Sequence, residues 1–118
     1  AGVKKGVLFV APAGNDPLAG SICFPASHPN VLAVAGLNED NSLFPNASIA
    51  ETADLYMPCE NIFSTLPGGT HNFMTGTSLS SAMAAGILAL AVEKNSALTK
   101  EKLPGFEGDL KKWLEKLF

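Results

Sequence analysis

The sequence has few of the groups that bind metals, nucleic acids or charged membranes. Its 118 residues include only two cysteines and two histidines. Cys23 and Cys59 are too few and too far apart for a zinc site or a disulfide framework, so we expect buried thiols, with a disulfide between them as the alternative. The net charge is −3 and the lysines form no basic cluster, which argues against nucleic acid or an anionic membrane as the partner.

The sequence also lacks an apolar run long enough to span a bilayer. The longest, residues 82–92, covers about eleven positions where a membrane helix needs about twenty. Hydrophobic residues nevertheless make up 47% of the chain. We therefore expect this run to be a core helix within a single soluble globular domain.

Short apolar runs bounded by turn residues predict a buried parallel sheet. Residues 7–11 and 31–35 are continuous apolar runs, typical of strands that are buried on both faces. Shorter strands are predicted at residues 55–57 and 62–64. Residues 14–29 are rich in Gly, Pro, Ser and Asn, which predicts a loop.

Two helices are predicted in the second half of the chain. The first begins at Ser78, runs to about Lys94 and is expected to be deeply buried. Proline and glycine residues then break the chain, and Asp109 can cap a short final helix. The apolar residues of that helix share one face, which favours docking onto the domain: Leu110, Trp113, Leu114 and Leu117.

Ser78 lies where a Gly-flanked turn gives way to the first helix. The first turn of a helix carries unpaired N–H groups and a partial positive charge. A serine there can attack a carbonyl while the N–H groups face the oxyanion that forms. The alternative is a helix cap, because serine and threonine are favoured at that position in any protein.

Five segments, in order, resemble those of subtilisin-like serine proteases. They are residues 6–16, 24–36, 54–58, 62–69 and 74–86. The resemblance covers about residues 2–95 as the C-terminal part of a catalytic domain, with 96–118 as a linker and short helix of the same domain. It implies an α/β fold with a parallel sheet in three layers. It also implies a serine endopeptidase of peptide or protein substrates, in a secreted or secretory compartment.

The resemblance also implies roles for individual residues. Ser78 would be the nucleophile, and the Asn15 amide and the Ser78 N–H would form the oxyanion hole, supported by the Thr77 hydroxyl. Substrate contacts would fall on Ala13, Gly14 and Gly76. No cofactor is required, but a weak structural Ca²⁺ or Na⁺ site of the family would fall on Ala26, His28, Val31 and Asp54.

The aspartate and histidine motifs of the family do not occur in this chain. Neither His28 nor His71 falls at the position of the catalytic histidine, so the triad is incomplete. We expect the isolated chain to be inactive and to need the missing N-terminal half of the domain as its partner.

Two other hypotheses stay open. Residues 82–83 read Ala-Met where the family usually has Pro-His, and this departure is compatible with a non-catalytic pseudoprotease that serves as a binding or scaffold module. The second alternative is a structural α/β domain in which Ser78 is only a cap and Asn15 only a turn residue. That hypothesis predicts that Asn15 and Ser78 lie far apart.

Overall fold

A three-stranded parallel sheet forms the centre of the fold. The computed structural model describes residues 1–16, 18–45 and 52–118. The sheet contains β1 (Phe9–Pro12), β2 (Val31–Leu37) and β3 (Leu55–Pro58), side by side in chain order. β2 is central and pairs in parallel with both neighbours. The α/β class and the parallel sheet predicted from the sequence are confirmed.

Strand β1 forms an exposed edge of this sheet. Val7 and Phe9 are 49% and 42% exposed, and only Ala11 of this region is buried. The prediction of a strand over residues 7–11 that is buried on both faces is therefore wrong in its burial, and the strand begins at Phe9. The apolar run correctly predicts that this segment forms a strand. Burial of the strand also needs another strand or helix packed against it, and the described residues provide none on its outer side.

Side chains of β2 alternate between two cores, one on each face of the sheet. Leu32 and Val34 face the first core, and Ala35 and Leu37 face the second. Loop residues such as Phe44 cover the second face. Helices cover the first face.

Helix α1 (Thr77–Lys94) packs across the first face and begins one residue before the predicted start at Ser78. Its buried positions recur at helical spacing: Thr77, Ser80, Ala84, Leu88 and Ala91. The opposite side of the helix, including Ala85 and Leu90, is exposed. The prediction of a deeply buried helix is correct for one face only, because nothing in the described part of the chain packs on the other.

An antiparallel hairpin follows the sheet. It consists of β4 (Ile62–Leu66) and β5 (Thr70–Met74), joined by a turn in which Gly68 and Gly69 have φ values of 82° and 75°. Glycine adopts such values without steric cost. The sequence predicted only part of β4. It missed β5 because every residue of that strand is exposed and no apolar alternation marks it.

The chain ends with helix α2 (Leu110–Leu117), which docks on the first core through Trp113. Asp109 caps this helix by accepting a hydrogen bond from the Lys112 N–H at 3.0 Å. The Trp113 ring is only 1% exposed, and its Nε1–H donates to the Pro104 carbonyl at 2.7 Å. The predicted cap and docking face are confirmed.

Replacing Trp113 with alanine should lower the free energy of unfolding by about 3–5 kcal/mol, because it leaves a large cavity in the core. Far-UV circular dichroism in a urea series measures this loss. Phe118→Ala removes an aromatic side chain that is half exposed and should change stability much less. Equal losses in the two variants would contradict this account of the core.

Candidate active site at the start of helix α1

Two donors, the Gly76 N–H and the Ser80 hydroxyl, hold the first turn of α1 against the carboxyl end of β3. Gly76, just before the helix, donates its N–H to the Cys59 carbonyl at 2.9 Å. The buried Ser80 hydroxyl lies 3.0 Å from the Met57 carbonyl oxygen and 3.1 Å from that of Pro58. These bonds fix where α1 begins relative to the sheet.

Asn15 connects the same turn to the end of β1. The Thr77 N–H donates to Asn15 Oδ1 at 2.9 Å, between residues 62 positions apart in the chain. The oxygen of the amide is thereby occupied, while its nitrogen carries two hydrogens that have no acceptor among the described residues. A Cβ added at Gly76 would lie 3.5 Å from Asn15 Nδ2, so the amide nitrogen lies beside the residue that precedes α1.

Ser78 is exposed at the second position of α1. The N–H groups of a first helical turn have no partner within the helix. The Thr77 N–H is taken by Asn15, and the Leu79 N–H donates to the Gly76 carbonyl at 3.1 Å. Among the described residues the Ser78 N–H has no such partner, and this N–H together with the Asn15 amide offers the two kinds of donor that can hold an oxyanion.

This contact decides against the hypothesis of a purely structural domain. That hypothesis predicted a large separation between Asn15 and Ser78. Asn15 is instead hydrogen-bonded to Thr77, the residue next to Ser78.

The side chain of Thr77 is fully buried beside this turn. Its Oγ1 has no hydrogen-bond partner among the described residues. A buried hydroxyl that makes no hydrogen bond is unfavourable by about 1–3 kcal/mol. The Thr77 hydroxyl next to Ser78 is therefore unpaired among the described residues and closed to solvent.

The three predicted substrate-contact residues lie on two segments. Gly76 has φ 154° and ψ 158°, a conformation that residues with a side chain rarely adopt. Gly14, with φ 110°, and Ala13 lie in the loop after β1. Ala13 is fully buried in the second core, its N–H donates to the Val34 carbonyl at 2.8 Å and its carbonyl accepts the Cys23 N–H at 3.2 Å, so the part of this segment that is open to solvent begins at Gly14.

Neither histidine is hydrogen-bonded to Ser78 in the described structure. His71 lies on the exposed β5, where its ring stacks on Phe63 with centroids 5.7 Å apart. His28 Nδ1 accepts from the Asn30 N–H at 3.1 Å in a local turn. Residues 1–16, 18–45 and 52–118 thus provide no base that is bonded to the serine.

The predicted cation site is already occupied by protein groups. Lys100 Nζ lies 2.6 Å from the Val31 carbonyl oxygen and 3.1 Å from Asp54 Oδ2. The His28 carbonyl accepts the Val31 N–H at 3.0 Å. Elsewhere in the described ranges, no three His, Cys, Asp or Glu side chains come together as metal ligands. With Lys100 bonded to Val31 and Asp54, the residues of the predicted cation site do not fit a bound metal ion.

The two cysteines are free thiols in different surroundings. Cys59 is buried against Gly36, whereas Cys23 is exposed. The prediction of two buried thiols is wrong for Cys23, which lies in a loop that no described element covers, and the disulfide alternative is wrong as well. Burial first, and the Glu60 carboxylate second, raise the pKa of the Cys59 thiol from 9.0 to about 11.

Raising the pH from 9 toward 11 should lower stability through Cys59. In this window the unfolded chain has lost the thiol proton and the folded chain keeps it, so the unfolded state binds fewer protons and is favoured. Urea unfolding at several pH values measures the slope. Cys59→Ala should reduce the slope and Cys23→Ala should not. Identical slopes in all three proteins would count against the buried thiol as the cause.

Comparisons with known proteins identify relatives along nearly the whole chain. The pattern of the subtilase family matches residues 1–116, which extends past the end of the resemblance recognised in the sequence. The chain is similar to subtilisin NAT of Bacillus subtilis subsp. natto, with 34% identity over 104 residues, 86% of this chain and 27% of that protein. It is also 34% identical over 98 residues to the halolysin-like extracellular serine protease Nep of Natrialba magadii, covering 83% of this chain and 18% of Nep.

A solved structure agrees with these sequence matches. The self-cleaved protease domain of PatA superimposes with a TM-score of 0.72 and 28% identity, over 80% of this chain and 36% of the PatA chain. This chain therefore spans about a quarter of subtilisin NAT and about a third of the PatA domain. None of the helices that the structure describes has the length and apolar character needed to cross a bilayer.

Proposed function

The chain belongs to the subtilase family, and from this premise we propose that it is the serine-bearing part of a subtilisin-like serine endopeptidase. Its substrates would be peptides or proteins. The observation that carries the proposal is the hydrogen bond from the Thr77 N–H to Asn15 Oδ1, which directs the amide donors of Asn15 toward the start of α1. If Ser78 were only a helix cap, there would be no need for amide donors beside it.

In the proposed reaction Ser78 Oγ attacks the carbonyl carbon of the cleaved peptide bond. A histidine base from the N-terminal half takes the hydroxyl proton, and an aspartate orients that base. The Asn15 amide and the Ser78 N–H stabilise the oxyanion, with the positive end of α1 adding to the favourable potential. The intermediate collapses when the leaving amine takes the proton, and water then hydrolyses the acyl-enzyme.

Two further groups would assist at the same place. Thr77 Oγ1, buried and unpaired in the described structure, can donate a hydrogen bond toward the oxyanion region. Gly14 has no side chain and is only half-buried, so a substrate backbone can approach it closely, whereas Gly76 is buried at the start of α1. Small residues in this region favour substrates with a small or apolar side chain before the cleaved bond.

The N-terminal half of the domain is the partner that this proposal requires. The exposed edge of β1 and the exposed side of α1 meet in a groove lined by Val7, Val10, Ala85 and Ala89. An unpaired strand edge next to an apolar helix face suits a further parallel strand with its own helix. We propose that the segment carrying the aspartate and histidine docks there.

The proposed compartment is supported by the name of one relative. Nep is described as extracellular. We propose a secreted or secretory-compartment location for the protein that contains this chain.

The chain alone should show no peptidase activity, whereas the chain together with an N-terminal half that carries Asp and His should. A fluorophosphonate probe measures this directly, because it labels an activated serine. Label should appear only in the combined protein and should be lost in Ser78→Ala.

Two results would contradict this proposal. Turnover by the chain alone that depends on Ser78 would show that the base is local. A tight combined protein that never takes the label would instead favour the pseudoprotease hypothesis.

Asn15→Asp should lower kcat of the combined protein by about 10²–10³ or more, a range that comes from removal of the equivalent donor in subtilisin itself. An aspartate oxygen can still accept from the Thr77 N–H, but it offers no donor to the oxyanion and repels its charge. KM should change little. His71→Ala is the matched control and should leave kcat unchanged. A loss in KM alone, or a large loss in His71→Ala, would contradict these roles.

A further inference from the structure

We propose that the Lys100 ammonium group replaces a structural cation, so that the amino-terminal ends of β2 and β3 are held together without any metal ion. The proposal does not depend on the proposed catalytic function. It concerns the end of the sheet opposite Ser78, where β2 and β3 begin.

Lys100 reaches this place from a short 3₁₀ helix, Lys100–Lys102, that follows α1. Its Nζ donates to the carbonyl of Val31, 69 positions earlier in the chain, at 2.6 Å. The same nitrogen lies 3.1 Å from Asp54 Oδ2. The Lys100 side chain is only 23% exposed, so most of it is packed against protein.

The two oxygen atoms lie at the amino-terminal ends of β2 and β3. Val31 is the first residue of β2, and Asp54 immediately precedes β3. Asp54 is itself fixed to β2, because its Oδ2 accepts the Ala33 N–H at 2.8 Å and its own N–H donates to the Ala33 carbonyl at 2.9 Å. The ammonium therefore joins β2, β3 and the segment after α1 at one point.

A backbone carbonyl and a carboxylate are the oxygen ligands that Ca²⁺ and other hard cations prefer. An ammonium group offers the same positive charge as Na⁺ and up to three hydrogen-bond donors. Here it uses the carbonyl and the carboxylate that the family resemblance implied for a cation. The His28 carbonyl, a third implied ligand, accepts the Val31 N–H. A metal ion could enter only by displacing Lys100.

Thermal unfolding with and without cations tests this proposal. The melting temperature of the unmodified chain should show no saturable rise on addition of Ca²⁺ or Na⁺, with ionic strength held constant by tetramethylammonium chloride. Lys100→Met should melt at a lower temperature in chelator and recover stability as Ca²⁺ or Na⁺ is added. A ligand that binds only the folded state stabilises it by RT ln(1 + [L]/Kd).

Lys102→Met is the matched control. It removes an exposed ammonium from the same 3₁₀ helix, where Nζ donates to the Ala97 carbonyl at 3.1 Å. It should produce no cation response. Adding Asp54→Asn to Lys100→Met should weaken the response, because it removes the charged ligand.

Two results would overturn the proposal. One is a saturable Ca²⁺ or Na⁺ stabilisation of the unmodified chain that Asp54→Asn abolishes, since the site would then take a metal despite Lys100. The other is a Lys100→Met chain with no cation response.

If that variant does not fold in chelator, its refolding yield in Ca²⁺ or Na⁺ is compared with that in tetramethylammonium. Recovery supports the proposal and no recovery opposes it. Peptidase activity is not needed for any of these measurements.

Discussion

The first turn of α1 is held between the carboxyl ends of two strands, and the rest of the candidate site depends on that constraint. Asn15, in the loop after β1, and the carbonyls of residues 57–59, at the carboxyl end of β3, all bond to residues 76–80. The donors are the Gly76 N–H, the Thr77 N–H and the Ser80 hydroxyl, and together they fix the turn relative to both strands. Ser78 is exposed to solvent because its neighbours Thr77 and Ser80 are bonded toward the protein interior.

The two ends of the sheet have opposite electrostatic character, and the polarity of parallel strands explains why. The carboxyl ends meet the positive end of a helix, where free N–H and amide donors gather and an anion is favoured. At the amino ends a carbonyl and the Asp54 carboxylate gather instead, and these require a cation. In this chain Lys100 meets that requirement. A donor cluster at one end and a cation at the other are consequences of the same topology.

Local pattern predicted much of the fold. The apolar runs of β2 and β3, the helix after the glycine-flanked turn and the Asp109 cap all lie where the sequence predicted them, because each depends on residues close together in the chain. Hairpin strand β5 escaped prediction because it buries nothing, and the burial of β1 and of the outer side of α1 was overestimated. The two errors of burial share a cause, because apolar composition does not show whether another strand or helix packs against the segment.

The sequence by itself determined that a serine lies in the first turn of a helix, that an asparagine lies in the loop after a strand, and that both segments are subtilisin-like in type and order. Only the tertiary structure decided which atom of Asn15 meets which atom of the helix, and that Lys100 lies among the oxygens expected to hold a cation. The reason is distance along the chain. A hydrogen bond across 62 positions and another across 69 leave no local pattern, and they exist only once parallel strands bring remote segments to the same edge.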